Sequence, residues 1–417
     1  MKFSKLSQLA LVSTTGLLAA ILLSACQIVT VDYIFVASPA GTGTSNDGSI
    51  DVFAVDSESG ALRNALTPFS SGGVSPVAMA VTSNYQHLYV ANQGNNKLVH
   101  FAIASNGMLT QKDAVTLSAQ GATPVSIAVN HEGTYLFVVS ANRPGSAPGA
   151  ALAVFALGSD GSIGAAGSDG KLGYWPLTIP GYPTDLIVPT GVTVLANNSA
   201  VYVTAFDQSA YNPGGATTSD ANPGWVFGFA VGSGGALSAA TGSPYQAGVK
   251  PTSLAADPTN RFVYVTDFAS NELIGYTIQS GNVLNFLVNG PFKTGNEPDA
   301  IVVDPRGKYI YIANALDSSV SAYVIDLATG TPSAAVNVTG AQTNTTDTEP
   351  VSILVDPALG RFVYTANRLG NSVSGFRLNT ATGALAPTQA TPYPSSQSPT
   401  AVVSVPHGSH SVQTVTP

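Results

Sequence analysis

Short apolar runs separated by glycine- and proline-rich turns recur along most of the chain. A proline opens each run, and an aromatic residue follows 13 positions later, as in Pro76/Tyr89 and Pro298/Tyr311. The same spacing occurs at Pro124/Phe137, Pro189/Tyr202, Pro251/Tyr264 and, with one extra residue, Pro350/Tyr364. The distance from Pro76 to Pro399 covers six units of about 54 residues each. A repeat of this length predicts a propeller or a solenoid.

The pattern of apolar and polar residues in each unit predicts four β-strands. The first is the apolar run after the proline, such as residues 125–129, and its near-continuous hydrophobicity predicts a strand buried on both faces. The aromatic residue begins the second strand, in tetrapeptides such as YVAN at 89, and the third strand carries one aromatic residue per unit. A glycine-containing hairpin, as at 57–62, leads to a less regular fourth strand.

The two ends of the chain hold complementary parts of one unit. The tetrapeptide FVAS at 35 has no proline run before it, whereas Pro399 opens a run with no tetrapeptide after it. Residues 399–405 would supply the inner strand of the blade that begins near Tyr33, which removes exposed sheet edges. We therefore predict an all-β fold, a seven-bladed β-propeller of four-stranded blades, closed by pairing of the N- and C-terminal strands. An open β-solenoid is the alternative.

The N-terminus has a different character. Two lysines precede an apolar stretch over residues 9–23, which has the length of a signal-peptide core and is short for a membrane span. The stretch leads into Leu23-Ser24-Ala25-Cys26, which resembles the lipobox of bacterial lipoproteins. The resemblance implies cleavage before Cys26 and a lipid on its thiol that anchors the protein to a membrane. Gln27, in place of aspartate, implies the outer membrane of a Gram-negative cell. The alternative is a plain secretory signal.

These patterns divide the chain into four parts. We expect a lipoprotein signal peptide at 1–25, a short tether at 26–32, the propeller at 33–405 and a disordered tail at 406–417. Cys26 is the only cysteine, so an intrachain disulfide is impossible.

The composition of the chain argues against nucleic acid as a partner. Charged residues make up 9% of the chain, and the net charge is -8. Such an acidic, weakly charged surface is a poor partner for nucleic acid, so we expect none. The five histidines show no metal-ligand spacing, and no cofactor motif is present. We expect a monomer without metal or cofactor.

The repeated motif resembles a known family. The pattern Pro-x-x-(Ile/Val)-(Ala/Val)-Val-Asp-Pro-x-x-(Arg/Lys)-(Phe/Tyr)-(Val/Ile)-Tyr is clearest at 298–311 and 251–264. It is similar to the YVTN-type and lactonase-like seven-bladed propellers, over about residues 33–405. Lactonase-like members include 6-phosphogluconolactonases and a muconate-cycloisomerising relative, whereas YVTN-type members are mostly envelope or surface proteins.

Charged residues are expected at one mouth of the propeller channel. The residue before each inner-strand proline should line this mouth: Ser75, Thr123, Val188, Lys250, Glu297, Glu349 and Ser398. The loops after the second strands add Asp267, Arg143 and Arg368. Carboxylates beside basic groups can perform acid–base chemistry, so Lys250, Glu297 and Glu349 with these three residues form a candidate site. The alternative is a set of solvated rim residues and turn formers.

Long insertions supply a second candidate surface. Residues 142–150, 167–183 and 206–224 depart from the repeat. In or beside them lie four large aromatic residues, Trp175, Tyr182, Tyr211 and Trp225. Long loops on a rigid scaffold often carry function, so these predict a binding surface for a small molecule, a glycan or a protein. The alternative is that the aromatic residues stabilise their own loops.

Two functions fit the sequence. The first is an exported, lipid-anchored propeller that acts as a binding or scaffold module in the cell envelope. The second is a lactonase-like hydrolase that opens a lactone ring ester. The acidic surface would repel an anionic sugar phosphate, and the export signal would separate the protein from a substrate of the cytosol. Neither objection applies to a neutral lactone outside the cytoplasm.

Overall fold

The computed structural model describes residues 29–39, 41, 46–117, 122–141, 149–164, 171–211 and 222–408. Regular structure in these ranges is β-sheet, apart from one 3₁₀ turn at Ser233–Gly235. Seven antiparallel sheets follow one another around a ring, which confirms the predicted seven-bladed propeller. Within the described ranges, no helix is long and apolar enough to cross a membrane.

Each sheet is one blade, and the blades are numbered here in chain order. Blade 1 contains β1 (Thr30–Ser38), β2 (Ser49–Asp56), β3 (Leu62–Ser70) and β32 (Ala401–Pro406). Blade 2 contains β4 (Pro76–Val81), β5 (His87–Asn92), β6 (Lys97–Ile103) and β7 (Leu109–Thr116). Blade 3 contains β8 (Pro124–Val129), β9 (Tyr135–Ser140), β10 (Ala151–Ala156) and β11 (Lys171–Pro176).

The other four blades have a fourth strand in two short pieces, both paired with the third strand. Blade 4 contains β12 (Ile187–Val194), β13 (Ala200–Asp207), β14 (Gly224–Val231), β15 (Leu237–Ala239) and β16 (Tyr245–Gln246). Blade 5 contains β17 (Pro251–Ala256), β18 (Phe262–Asp267), β19 (Glu272–Gln279), β20 (Val283–Phe286) and β21 (Phe292–Lys293). Blade 6 contains β22 (Pro298–Val303), β23 (Tyr309–Asn314), β24 (Ser319–Ile325), β25 (Pro332–Ala334) and β26 (Thr343–Thr345). Blade 7 contains β27 (Pro350–Val355), β28 (Phe362–Asn367), β29 (Ser372–Leu378), β30 (Leu385–Pro387) and β31 (Tyr393–Pro394).

The chain ends close the ring as the split repeat predicts. Strand β32 pairs antiparallel with β1, with Val405 opposite Tyr33 and Ala401 opposite Ala37. β1 begins inside the predicted tether, and β32 ends one residue into the predicted tail. The inner strand β32 contacts β4 on one side and β27 on the other. Blade 1 therefore joins blade 7 at a boundary that we call the seam.

The inner strands are less buried than the sequence suggests. In β4 only Pro76 and Met79 are buried, whereas five consecutive residues of β5 are buried. The expectation of an inner strand buried on both faces is therefore wrong. Each inner strand lines the channel with one of its faces. Each second strand packs against the neighbouring blades with both faces, so the second strands form the core.

The repeated tyrosine connects neighbouring blades. The buried Tyr264 hydroxyl donates to the Gly330 carbonyl of the next blade at 2.7 Å, and Tyr364 donates across the seam to Gly60 at 2.7 Å. Gly60 has a φ of +70°, and a Cβ there would lie 2.3 Å from the Phe362 ring. The aromatic tetrapeptide and the hairpin glycine thus form one contact between blades, which explains why both recur.

Candidate functional site

The residues just before the inner-strand prolines stand at one mouth of the channel. Five of the seven have a left-handed backbone, with φ between 54° and 61°: Ser75, Thr123, Glu297, Glu349 and Ser398. Non-glycine residues adopt this conformation only where their surroundings impose it. A side chain of the preceding blade holds the rim residue at several positions; the Asn271 Oδ1, for example, accepts the Glu297 N–H at 2.8 Å. The ring therefore fixes the backbone that carries Glu297 and Glu349.

Glu349 and Arg368 form an ion pair at this mouth. The Arg368 Nε donates to Glu349 Oε2 at 3.0 Å, and Nη2 contacts Oε1, so the pairing is bidentate. The Arg368 side chain is 47% exposed and the Glu349 side chain 21% exposed. Hydrogen bonding to Glu349 raises the pKa of Arg368, which keeps the guanidinium charged. The pair is preorganised at the mouth and open to solvent.

Asp299 is close enough to this charged group for four of its charges to affect its pKa, and sequence reasoning missed it. It is the second residue of the inner strand β22, where blades 2, 3 and 7 have valine. Burial raises the pKa of Asp299 to about 6; the charges of Arg368 and Lys250 lower it, and Glu349 and Glu297 raise it. The signal in the sequence was a single aspartate inside an apolar inner-strand run.

Lys250 stands on the blade 5 side of the mouth, against three aromatic rings. Its ammonium lies 4.3 Å from the centre of the Phe268 ring, 5.7 Å from Tyr211 and 5.9 Å from Phe206. Tyr211 packs edge-on against Phe206, with ring centres 5.3 Å apart. Cation–π attraction therefore holds the charge of Lys250 in place.

Asp267 supports Lys250 through the backbone. Its carboxylate is buried and accepts the N–H groups of Val249 at 2.8 Å and Lys250 at 2.9 Å. Each carboxylate oxygen accepts one of these bonds, and together they fix the backbone of the loop before β17. Asp267 is therefore a positioning residue for Lys250.

The four aromatic candidates do not form one surface. The Trp175 indole donates to the Leu237 carbonyl at 2.9 Å, and both tryptophans pack against the core between blades 3 and 4. Tyr182 is 62% exposed, and Tyr211 belongs to the Lys250 group. Two further candidates, Cys26 and Arg143, lie outside the described residues. In the part of the chain that the structure describes, no three histidine, cysteine or acidic side chains come together as metal ligands.

The mouth thus combines three carboxyl groups with two cations. Such a group can polarise a carbonyl oxygen, transfer a proton or bind a polar ligand. The family model "Lactonase, 7-bladed beta-propeller" matches residues 37–170 and 238–409. The chain belongs to this family. The match passes over residues 171–237, which hold Trp175, Tyr182, Tyr211 and Trp225, and includes the mouth residues named above except Val188, Phe206 and Tyr211.

Solved structures resemble this lactonase-family propeller along its length. The periplasmic gluconolactonase of Pseudomonas aeruginosa is 18% identical with a TM-score of 0.71, covering 91% of this chain and 100% of its own. A Bacteroides uniformis protein proposed to be a 6-phosphogluconolactonase is 17% identical with a TM-score of 0.68, covering 90% and 100%. A Lactobacillus plantarum protein is 14% identical with a TM-score of 0.69, covering 90% and 99%. No curated relative matches the sequence. At these identities the likeness extends to the fold.

Proposed function

We propose that this propeller hydrolyses a lactone ring ester at the channel mouth. The observation that carries the proposal is the half-buried Asp299 carboxyl with a pKa of about 6, within electrostatic reach of Arg368 and Lys250. A carboxyl group with this pKa is largely ionised at neutral pH and remains a stronger base than an ordinary aspartate. The family supports hydrolysis over pure binding.

The reaction would use these groups in a defined order. Ionised Asp299 accepts a proton from water, and the hydroxide adds to the lactone carbonyl carbon. Lys250 and Arg368 stabilise the oxyanion that forms. The ring C–O bond then breaks, and Asp299 returns its proton to the leaving alkoxide. The product is a hydroxy acid, and Asp299 is ionised again.

The substrate we propose is a neutral lactone outside the cytoplasm. Among the residues described, the mouth has three carboxyl groups and two cations, which gives little attraction for a phosphorylated ligand. The Leu23–Cys26 segment supports export and a lipid anchor in the cell envelope. The similar P. aeruginosa protein is named a periplasmic gluconolactonase, which agrees with an exported lactonase.

A binding or scaffold role is the second candidate. One observation favours it: both cations of the mouth already have partners. Arg368 is held by Glu349, and Lys250 lies on aromatic rings. A ligand-binding mouth can keep these pairs intact, whereas oxyanion stabilisation requires at least one cation to face the substrate.

The purified protein should be assayed against glucono-δ-lactone, γ-butyrolactone and δ-valerolactone. We expect hydrolysis that falls about 100-fold or more in Asp299→Asn, the usual scale for loss of a general base. Asp326→Asn is the matched control, because Asp326 is an exposed aspartate at the other end of the same blade. Full activity in Asp299→Asn would remove Asp299 from the mechanism. Calorimetric binding of a lactone without turnover would favour the binding role.

A further inference from the structure

A groove of about 600 Å³ opens between blades 4 and 5, apart from the Asp299 group. Blade 4 contributes Gln246 to its wall, the β18–β19 turn region contributes Ser270 and Glu272, and the fourth-strand region of blade 5 contributes Phe286, Leu287 and Pro291. The volume lies within the range of small-molecule sites, about 300–1,000 Å³. Of the residues that line this groove, only Asp267 bears on the proposed hydrolysis, as the positioning residue for Lys250.

Phe286 gives the groove a flat apolar platform. One face of the ring stacks on the buried Tyr276, with centres 4.9 Å apart and an angle of 29° between the rings. The side chain is nevertheless 58% exposed. A rigid aromatic ring backed on one side and open on the other suits a ligand with a flat C–H face.

The polar groups beside this platform include one that lacks a partner. The Gln246 Oε1 is buried, and no donor among the described residues reaches it. Buried polar atoms are normally paired, so an unpaired acceptor in a groove wall is explained if a ligand or water supplies the donor. The Ser270 hydroxyl and the Glu272 carboxylate line the same groove. All three side chains can accept hydrogen bonds from hydroxyl groups.

The charge of the groove restricts the ligand further. Its lining contains two acidic residues, Asp267 and Glu272, and no lysine or arginine. The Asp267 carboxylate is already occupied by backbone N–H groups. Lys293 lies opposite Glu272 across the strands but does not line the groove. Phosphate, sulfate or uronate groups would therefore be repelled, whereas neutral hydroxyl groups would be accepted.

We propose that this groove binds a neutral saccharide chain, with a sugar ring on Phe286 and its hydroxyl groups on Glu272, Ser270 and Gln246. A sugar ring presents a face of C–H groups and a rim of hydroxyl groups, which matches the apolar platform and the acceptors around it. The site is separate from the Asp299 group, so it would give the envelope protein a second function, attachment to a glycan.

Isothermal titration calorimetry on the purified protein tests this proposal. The probes are maltohexaose, cellohexaose and chitohexaose, with a neutral hexapeptide of alanine, serine and glycine for comparison. We expect at least one saccharide to bind, and Phe286→Ala and Glu272→Gln each to weaken its binding about tenfold or more. Val288→Ala is the matched control, because Val288 is 77% exposed near Phe286 and does not line the groove.

Several outcomes would overturn the proposal. These are no saccharide binding up to about 10 mM, binding of the peptide alone, or saccharide binding that neither variant weakens. Lactone hydrolysis is measured in the same variants and should not change, because neither residue belongs to the Asp299 group. Loss of the saccharide site and loss of the lactonase function are therefore distinguishable.

Discussion

The carboxyl group of Asp32 in β1 lies against that of Asp356 in blade 7, across the seam that closes the ring. Both side chains are fully buried. Apart from Asp356, no side chain or backbone N–H within the described ranges bonds the Asp32 oxygens in good geometry. Asp356 accepts backbone N–H groups from the four residues Leu359, Gly360, Arg361 and Phe362.

The same turn is neutralised differently in blades 5 and 6. Asp257 in blade 5 pairs with Arg261 at 2.9 Å, and Asp304 in blade 6 pairs with Arg306 at 3.4 Å. At the seam, a second carboxyl group stands in place of the arginine. Two buried carboxyl groups in contact cannot both ionise cheaply, so they share a proton. Burial, followed by the charge of Asp356, raises the pKa of Asp32, and burial raises the pKa of Asp356.

This pair predicts a protein that is more stable in mild acid. The folded-state pKa lies above the unfolded value of about 3.9, so the folded protein keeps a proton that the unfolded chain releases. Stability should fall as pH rises from about 4 through the raised pKa of Asp32. Asp32→Asn should flatten this dependence and, at pH 8, raise the free energy of unfolding by about 1–3 kcal/mol.

Thermal unfolding between pH 4.5 and pH 8 measures the effect. Glu58→Gln is the control, because Glu58 is an exposed carboxylate of the same blade. Tyr85 and Tyr364 also lie near Asp32, but burial raises the pKa of each, so both stay neutral over this range. Equal pH slopes in the native protein and Asp32→Asn would contradict the shared proton.

The interblade tyrosines should contribute measurably to stability. Tyr264→Phe removes the bond to the Gly330 carbonyl and leaves that buried acceptor without its donor. We expect a loss of about 1–3 kcal/mol in the free energy of unfolding, measured by denaturant titration. Tyr182→Phe, at a tyrosine that is 62% exposed, should change it little. Equal effects of the two variants would mean that the interblade bond adds nothing.

Lactone hydrolysis should depend on the ionisation of Asp299. Because the base form is required, kcat/KM should rise with pH through about pH 6 and then level off. Arg368 lowers the pKa of Asp299 and Glu349 raises it. Arg368→Gln should therefore move the rise of kcat/KM to higher pH, and Glu349→Gln should move this rising limb of the pH profile to lower pH.

The pH–rate profiles of both variants test this assignment. Opposite shifts identify Asp299 as the titrating group, because a merely structural disturbance would not reverse sign. Shifts in the same direction, or none, would assign the limb to another group. Glu297→Gln should act like Glu349→Gln but more weakly, since Glu297 has the smallest effect of the four charged side chains on the pKa of Asp299.

The lipid anchor is tested at Cys26. Mass spectrometry of the membrane-extracted protein should find diacylglycerol on an N-terminal Cys26. Cys26→Ala should release the protein from the membrane fraction, because acyl chains supply the anchoring energy, about 0.8 kcal/mol per buried methylene. Membrane association that persists in Cys26→Ala would leave the lipid anchor unsupported.

Spacing along the chain was enough to predict the ring. Proline, tyrosine and glycine recur at fixed distances because each blade repeats the same local contacts, such as Tyr264 with Gly330. The split repeat at the two ends predicted the pairing of β32 with β1 for the same reason. The sequence also placed Glu297 and Glu349 directly before inner strands, where the structure has them, since register within a repeat is a local property.

The tertiary structure decided which charges meet. Sequence spacing could not show that Asp299 has Lys250 on one neighbouring blade and Arg368 on the other, or that Glu349 is already paired. Nor could it bring Asp32 to Asp356, which come together only because the ring closes. Repeats report contacts that every blade shares. Electrostatic interactions depend on the distance and burial of particular side chains, and the closed ring sets both.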